Sequence, residues 1–295
     1  MARIRPAIGP RTLSLLGAAV LAGCTTETHS FLNPASLTAE SQRDLMIWAF
    51  GLMLVVLIPV WVMAIWFPWR YREGNSGADY RPDWAHSNLI EAVVWIVPAI
   101  LVVAISALVW VYTHRLDPYA SPVARGEPLH VQAISLDWKW VFLYPDNGVA
   151  SVNTLILPEG RPVEMSITSD TVMNALYLPG LAGQIYAMAG MVTHLNFAPD
   201  HRGHFTGRNM QYSGDGFPDH RFDVSVESAG DFQRFVREHQ GHSPLLSTAA
   251  YRQLANAHAT ARPAVFGGFP PRLFDQVVHK YCATDCDQTT AGDRP

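Results

Sequence analysis

The sequence predicts an α+β membrane protein: a two-helix transmembrane hairpin, then a β-sandwich, then a short helical C-terminal arm. Three observations predict it. Two long uncharged apolar runs stand close together before residue 115, short alternating apolar segments broken by turn residues follow, and helix signals return after Gly230. Composition agrees. The chain has 295 residues, of which 49% are hydrophobic and 16% charged, against about 25% charged in ordinary soluble domains. A formal net charge of −4 provides no basic field for nucleic acid. Cys24, Cys282 and Cys286 are the three cysteines, too few for a disulfide scaffold.

Residues 1–23 read as a lipoprotein signal peptide. Arg3, Arg5 and Arg11 precede an apolar run from Thr12 to Gly23, which is too short to cross roughly 30 Å of hydrocarbon. The run ends Leu21-Ala22-Gly23-Cys24, which resembles the bacterial lipobox; Cys24 would be diacylated and become the mature N-terminus. The acyl chains would add a second anchor to the spanning helices.

The segment 24–115 holds the hairpin, with spans at 45–67 and 91–112. The runs Leu45–Phe67 and Ala92–Tyr112 contain no formal charge and exceed the roughly 20 residues a span needs. Pro59 and Pro98 are tolerated because neighbouring helices can satisfy the freed carbonyls. Trp48, Trp61, Trp66, Trp69 and Trp110 suit interface anchors. Arg70, Arg72 and Arg81 lie between the spans, and only Arg43 and Arg115 flank them outside. The positive-inside rule therefore puts the short loop in the cytoplasm and the C-terminal part outside.

Residues 116–228 form the external β domain. Val163, Met165 and Ile167 alternate with polar residues, as do Phe222, Val224 and Val226; turn signals stand at Pro145–Gly148, Pro158–Gly160 and Gly214–Gly216. Residues 229–295 form the arm. Asp231 caps a helix carrying Phe232, Phe235 and Val236, and further helices are expected over Thr248–His258 and Arg272–Cys282. Trp138 and Trp140 are expected to alternate on one strand and face the same way, packing the domain against a partner. His201 and His204 resemble half a metal site, and Cys282 and Cys286 would share a helix face, but both pairs read as ordinary polar and thiol chemistry. No Ser-His-Asp constellation, phosphate-binding glycine loop or nucleic-acid signature is present.

This order of segments resembles subunit II of the haem–copper oxidases, in the cytochrome c oxidase subunit II superfamily, over nearly the whole mature chain. The segment Asn88–Pro98 is similar to the start of that family's second membrane helix. Ser135–Trp140 is similar to its aromatic strand, and Ser169–Asn174 and Gln184–Met191 to further strands. The tail after Gly230 resembles the aromatic-rich arm of the quinol-oxidising members. The resemblance implies a cupredoxin-like external domain in the periplasm, anchored to a bacterial inner membrane. In members that take electrons from cytochrome c, this domain holds a binuclear copper centre built from one earlier His and a loop of the form C-x-E-x-C-x3-H-x2-M. Here those positions read Asn174, Asn209, Gln211, Ser213, Phe217 and His220. No thiolate remains to bridge two coppers, and His220 reads as an exposed, solvated imidazole. The resemblance therefore implies a ubiquinol oxidase subunit carrying no cofactor of its own. Haem and copper would sit on subunit I, and the partners would be subunit I, further subunits, membrane lipid and quinol through the complex.

Glu91 is the candidate for chemistry. An ionisable group at the start of a span is costly and usually functional, and in the family a Glu there marks a proton entrance leading into subunit I. His86 and Ser87 lie about one turn before it and could relay or position protons. The competing reading is an interfacial carboxylate that simply reaches water. Two rival functions remain at this point. One is a copper-bearing acceptor for cytochrome c, against which the missing ligands argue. The other is a membrane-tethered scaffold lipoprotein, which needs no acid in its helix.

Overall fold

The computed structural model describes residues 32–75, 77, 83–120 and 126–281. The signal segment, Cys24, Arg81, Cys282 and Cys286 lie outside the described residues. Helix α1 spans Leu37–Arg70 and α2 spans Asn88–Arg115. Both are long and apolar enough to cross a membrane. Their side chains are bare: Trp61 is 64% exposed and Val103 69%, a surface that lipid would cover and water would not tolerate. Helix α1 is longer than its apolar run because Ser36 caps it early, accepting from the Ala39 N–H at 3.0 Å.

The external domain is a cupredoxin-like sandwich of two sheets. The first has the order β11-β3-β2-β1-β5-β8, from β1 (Leu129–Leu136), β2 (Lys139–Tyr144), β3 (Val149–Val152), β5 (Val163–Ser169), β8 (Thr193–Phe197) and β11 (Ala264–Phe266). The second has the order β4-β10-β9-β6-β7, from β4 (Thr154–Pro158), β6 (Asn174–Leu178), β7 (Gly183–Ala187), β9 (Gly203–Asn209) and β10 (Arg221–Glu227). The alternation in the sequence is the inward face: Val163, Met165 and Ile167 of β5 meet Phe222, Val224 and Val226 of β10 in one buried core.

The first sheet is buried on its other face too. Ile134, Leu136, Val141 and Leu143 point away from the sandwich into a second core, closed by Tyr251, Leu273, Phe274 and Val277 of the arm. This is why β2 is buried along its whole length. The arm comprises α3 (Ala229–His239), α4 (Thr248–Asn256), β11 and α5 (Leu273–His279). Strand β11 pairs antiparallel with β3 and covers its open edge; its three residues between Pro263 and Gly267 are too few to show in a sequence pattern. The cap of α3 is Ser228, not Asp231: Asp231 lies in the first turn and donates its N–H to Ser228 Oγ at 3.1 Å. Helix α4 stops before His258, and α5 ends at His279 rather than Cys282.

Trp138 and Trp140 do not share a strand. Asp137-Trp138 is the turn joining β1 to β2, and Trp138 adopts a left-handed φ of 60°. The tight hairpin outweighs the β preference of its aromatic residues.

The sandwich is fastened to both outer ends of the hairpin. Ala35 donates to the Gly180 carbonyl at 2.7 Å and accepts from the Asp200 N–H at 2.9 Å. After α2, the Pro118 and Tyr119 carbonyls accept from the Asn196 backbone and side chain at 3.0 and 3.1 Å.

Candidate functional site

The six positions matched to the copper-ligand pattern lie at one end of the second sheet, Asn174 on a strand and the others on or beside one loop. Strand β6 begins at Asn174, β9 ends at Asn209, and the chain then turns through a single 3-10 turn, Phe217–Asp219, before His220. Asn209 organises this loop. Its Oδ1 accepts from the Ala175 N–H at 2.8 Å and the Gln211 N–H at 3.0 Å. Its amide nitrogen faces Asn174 Oδ1 at 2.6 Å, the Gln211 carbonyl at 2.7 Å and Ser213 Oγ at 3.1 Å, so its two hydrogens are shared among three acceptors. Asn174 in turn donates to the Val172 carbonyl at 3.0 Å. Trp138 closes the far side. Its Nε1 donates to the Ser213 carbonyl at 3.1 Å, and its ring lies so close to Gly216 that a Cβ there would sit 2.1 Å from a ring carbon. Only glycine fits that contact.

Phe217 and His220 leave this network. The Phe217 ring packs on Tyr212, with centroids 5.7 Å apart. His220 is not the exposed imidazole expected. It is 1% exposed and lies against buried Trp140, with centroids 5.4 Å apart. A rigid aromatic face on the core side turns the ring inward. Neither ring nitrogen makes a hydrogen bond; the Lys139 backbone lies near the ring but outside bonding geometry. Burial, with the Lys139 charge nearby, pushes the His220 pKa down to about 4.

Two buried charges beside this loop tie down the arm. The Lys139 ammonium donates to the carbonyls of Asp137 at 2.9 Å, Ala257 at 2.5 Å and Ala259 at 2.8 Å, and burial holds its pKa below the usual lysine range. Burial raises the Asp137 carboxyl, but hydrogen bonds with Thr171 and His258 outweigh that and hold it below the usual carboxylate range. Asp170, whose side chain is 2% exposed, accepts from Tyr251 Oη at 2.9 Å and Lys280 Nζ at 2.7 Å. Local spacing shows no sign of these roles, because the partners lie about a hundred positions apart.

At the other end of the molecule, Glu91 lies in the first turn of α2 and donates its N–H to the Ser87 carbonyl at 3.0 Å. An acid there is favoured by the helix dipole. His86 Nδ1 stands 3.4 Å from Glu91 Oε2, with both side chains more than half exposed, and His86 Nε2 contacts Asn88 Oδ1. Ser87 holds the N-cap position, but its hydroxyl makes no cap bond. The structure thus joins His86 to Glu91 by side chain and Ser87 by backbone alone. His201 and His204 do not form a site: His204 bonds Ser225 Oγ at 2.7 Å, His201 is exposed, and among the described residues no three His, Cys, Asp or Glu side chains converge as a metal would require.

No family model matches the chain. It is 41% identical over 281 residues to the cytochrome bo(3) ubiquinol oxidase subunit 2 of Pseudomonas aeruginosa, covering 95% of this chain and 84% of that protein. It is 37% identical over 269 residues to the ubiquinol oxidase subunit 2 of Acetobacter aceti, covering 90% and 86%. Among solved structures it is similar to the periplasmic domain of subunit II of cytochrome oxidase of Bradyrhizobium japonicum, with 23% identity, a TM-score of 0.35, and coverage of 37% of this chain and 91% of that one. With identities of this size over nearly its full length, and two spanning helices carrying an external sandwich, the chain belongs to the family of quinol oxidase subunit 2 and is a membrane-anchored protein.

Proposed function

We propose that this chain is the cofactor-free second subunit of a complex that oxidises quinol, reduces oxygen to water and moves protons outward. The observation that carries the reading is the chemistry of the six-position loop. A binuclear copper centre needs bridging thiolates with imidazole and thioether ligands. Here the positions offer two amides of Asn, one of Gln, a hydroxyl, a phenyl ring and a buried imidazole. The side chains of Asn174, Asn209 and Ser213 bond one another or the backbone of the loop, and Gln211 joins them through its backbone. These residues do not fit copper. Electrons would come from membrane quinol to haem and copper on subunit I, and this chain would shield that subunit's outer face.

Glu91 would serve as a proton entrance, with His86 beside it to receive protons from bulk water. Cys24 would carry the lipid anchor, and the sandwich would lie in the periplasm. The test is the complex purified through a tag on this chain. Oxygen consumption should run with a short-chain quinol and not with reduced cytochrome c, and the metal content should leave no copper beyond the share of subunit I. Oxygen consumption driven by cytochrome c, with two additional coppers per complex, would overturn the reading.

A further inference from the structure

A cleft of about 270 Å³ lies where the outer ends of both membrane helices meet the sandwich. It is far larger than the ~30 Å³ share of one water and close to the lower limit for ligand pockets. Its depth in the bilayer is fixed by its walls. They include the first turns of α1, six or more residues outside Trp48, and the residues at and just after the end of α2, five or more outside Trp110. Those two rings are 63% and 70% exposed, as interface aromatics are. The cleft therefore opens at the level of lipid headgroups.

Its lining carries both signs of charge. Arg115 ends α2 and, unlike Arg43, which pairs with Glu40 and Asp44 at 3.2 and 3.0 Å, has no ion pair among the described residues. Asp117 lies two residues on; its Oδ1 accepts from the Tyr119 N–H at 2.9 Å, and its other oxygen has no hydrogen bond. Gln42 and Gln184 add amides, and Leu37 and Leu195 add apolar wall.

We propose that this cleft holds the headgroup of one phospholipid with a primary ammonium, a phosphatidylethanolamine. Arg115 would take the phosphate and Asp117 the ammonium, with the acyl chains lying along the bare helices below. A headgroup with only an anionic phosphate satisfies Arg115 but leaves Asp117 unmatched. A trimethylated amine offers Asp117 no N–H donor.

The experiment is native mass spectrometry of the purified full chain, delipidated in detergent and titrated with phosphatidylethanolamine, phosphatidylglycerol or phosphatidylcholine of identical chains. One ethanolamine lipid should bind about tenfold more tightly than either other, the size of one charged hydrogen bond. Arg115→Gln should weaken binding of all three lipids. Asp117→Asn keeps the acceptor for Tyr119 and should erase only the preference for ethanolamine. Both residues are exposed, so unfolding temperatures should match the parent chain. Equal binding of the three lipids, or a preference unchanged in both variants, would overturn the proposal. So would displacement of the lipid by an equal concentration of soluble phosphoethanolamine, which would give the cleft to a free phosphate compound.

Discussion

The Asn209 side-chain amide donates to Asn174 Oδ1 across 2.6 Å, joining the end of β9 to the start of β6. Two residues that the sequence resemblance places at ligand positions of a copper pattern are here bound to each other. The hydrogen bonds of Asn209 also reach Ala175, Gln211 and Ser213 and hold this loop in a fixed shape.

That shape should depend on Asn209 more than on any neighbour. Asn209→Ala would leave the Asn174 carbonyl group and the Ala175 and Gln211 N–H groups without their partner in a buried setting. The expected loss is about 2–3 kcal/mol, read by urea unfolding of the full chain in detergent. Ser213→Ala removes one shared acceptor and should cost well under half as much. A loss at Asn209 no larger than at Ser213 would mean the loop is held by Trp138 and backbone alone.

His220 should make the external domain acid-sensitive. Its folded pKa is depressed to about 4, while unfolded histidine titrates near 6.5. Between those values the unfolded chain binds the proton and the folded chain does not. Stability is therefore complete above about pH 6.5 and falls as pH drops toward 4, by about 2 kcal/mol at pH 5. His194, lowered by its own burial, acts with the same sign. The informative quantity is thus the difference between parent and His220→Leu in thermal melts at pH 7 and pH 5. The variant should lose much less stability on acidification. Parallel pH profiles would mean that the ring is protonated in the folded state.

Lys139 should decide whether the arm stays docked. Its ammonium is the donor for Ala257 and Ala259, just past α4, as well as for Asp137. Lys139→Met keeps the aliphatic stem but takes the donor from three part-buried carbonyls and removes the charge next to Asp137. The expected cost is about 2–3 kcal/mol. The signature should be local: faster hydrogen exchange and protease cutting over residues 257–262, with β5 and β10 unchanged. Uniform loosening of both sheets would assign Lys139 to the global core instead.

The legible part of this molecule is what local pattern encodes. Uncharged runs around Pro59 and Pro98 show the spans, and period-two alternation at Val163–Ile167 and Phe222–Val226 shows which face of each strand turns into the sandwich. Asn209 and Ser213, where the resemblance expects thiols, are visible as letters. The illegible part is made of contacts distant in sequence. Ser135–Trp140 reads as one strand, because nothing local says that Trp138 must turn left-handed to cover Gly216. The position of His220 between Asp219 and Arg221 suggests solvent, and only the Trp140 face across the sandwich draws the ring inward. Likewise, a lysine flanked by two tryptophans gives no hint that its ammonium ends on the carbonyls of a segment about 120 residues later.

The proton-entrance reading of Glu91 makes a prediction that separates titration from shape. The carboxylate sits at the first turn of α2, half exposed, with His86 Nδ1 at 3.4 Å. A group in that position can exchange protons with bulk water and pass them on through ordered water or hydroxyls, provided it ionises. Glu91→Gln keeps the volume and hydrogen bonding and removes the titration. Glu91→Asp keeps the titration and shortens the reach, and Glu91→Ala removes both. Oxygen consumption with quinol, normalised to haem in the purified complex, should fall about tenfold or more in Gln and Ala, within the range ascribed to a positioned proton-transfer group. Asp should retain more activity than Gln, and the haem spectrum should be unchanged in all three. His86→Ala should slow turnover less than Glu91→Gln, since the carboxylate still faces water. If Glu91 were only an interfacial anchor, the Gln variant would respire at the parent rate, and that result would leave the hairpin with a structural role alone.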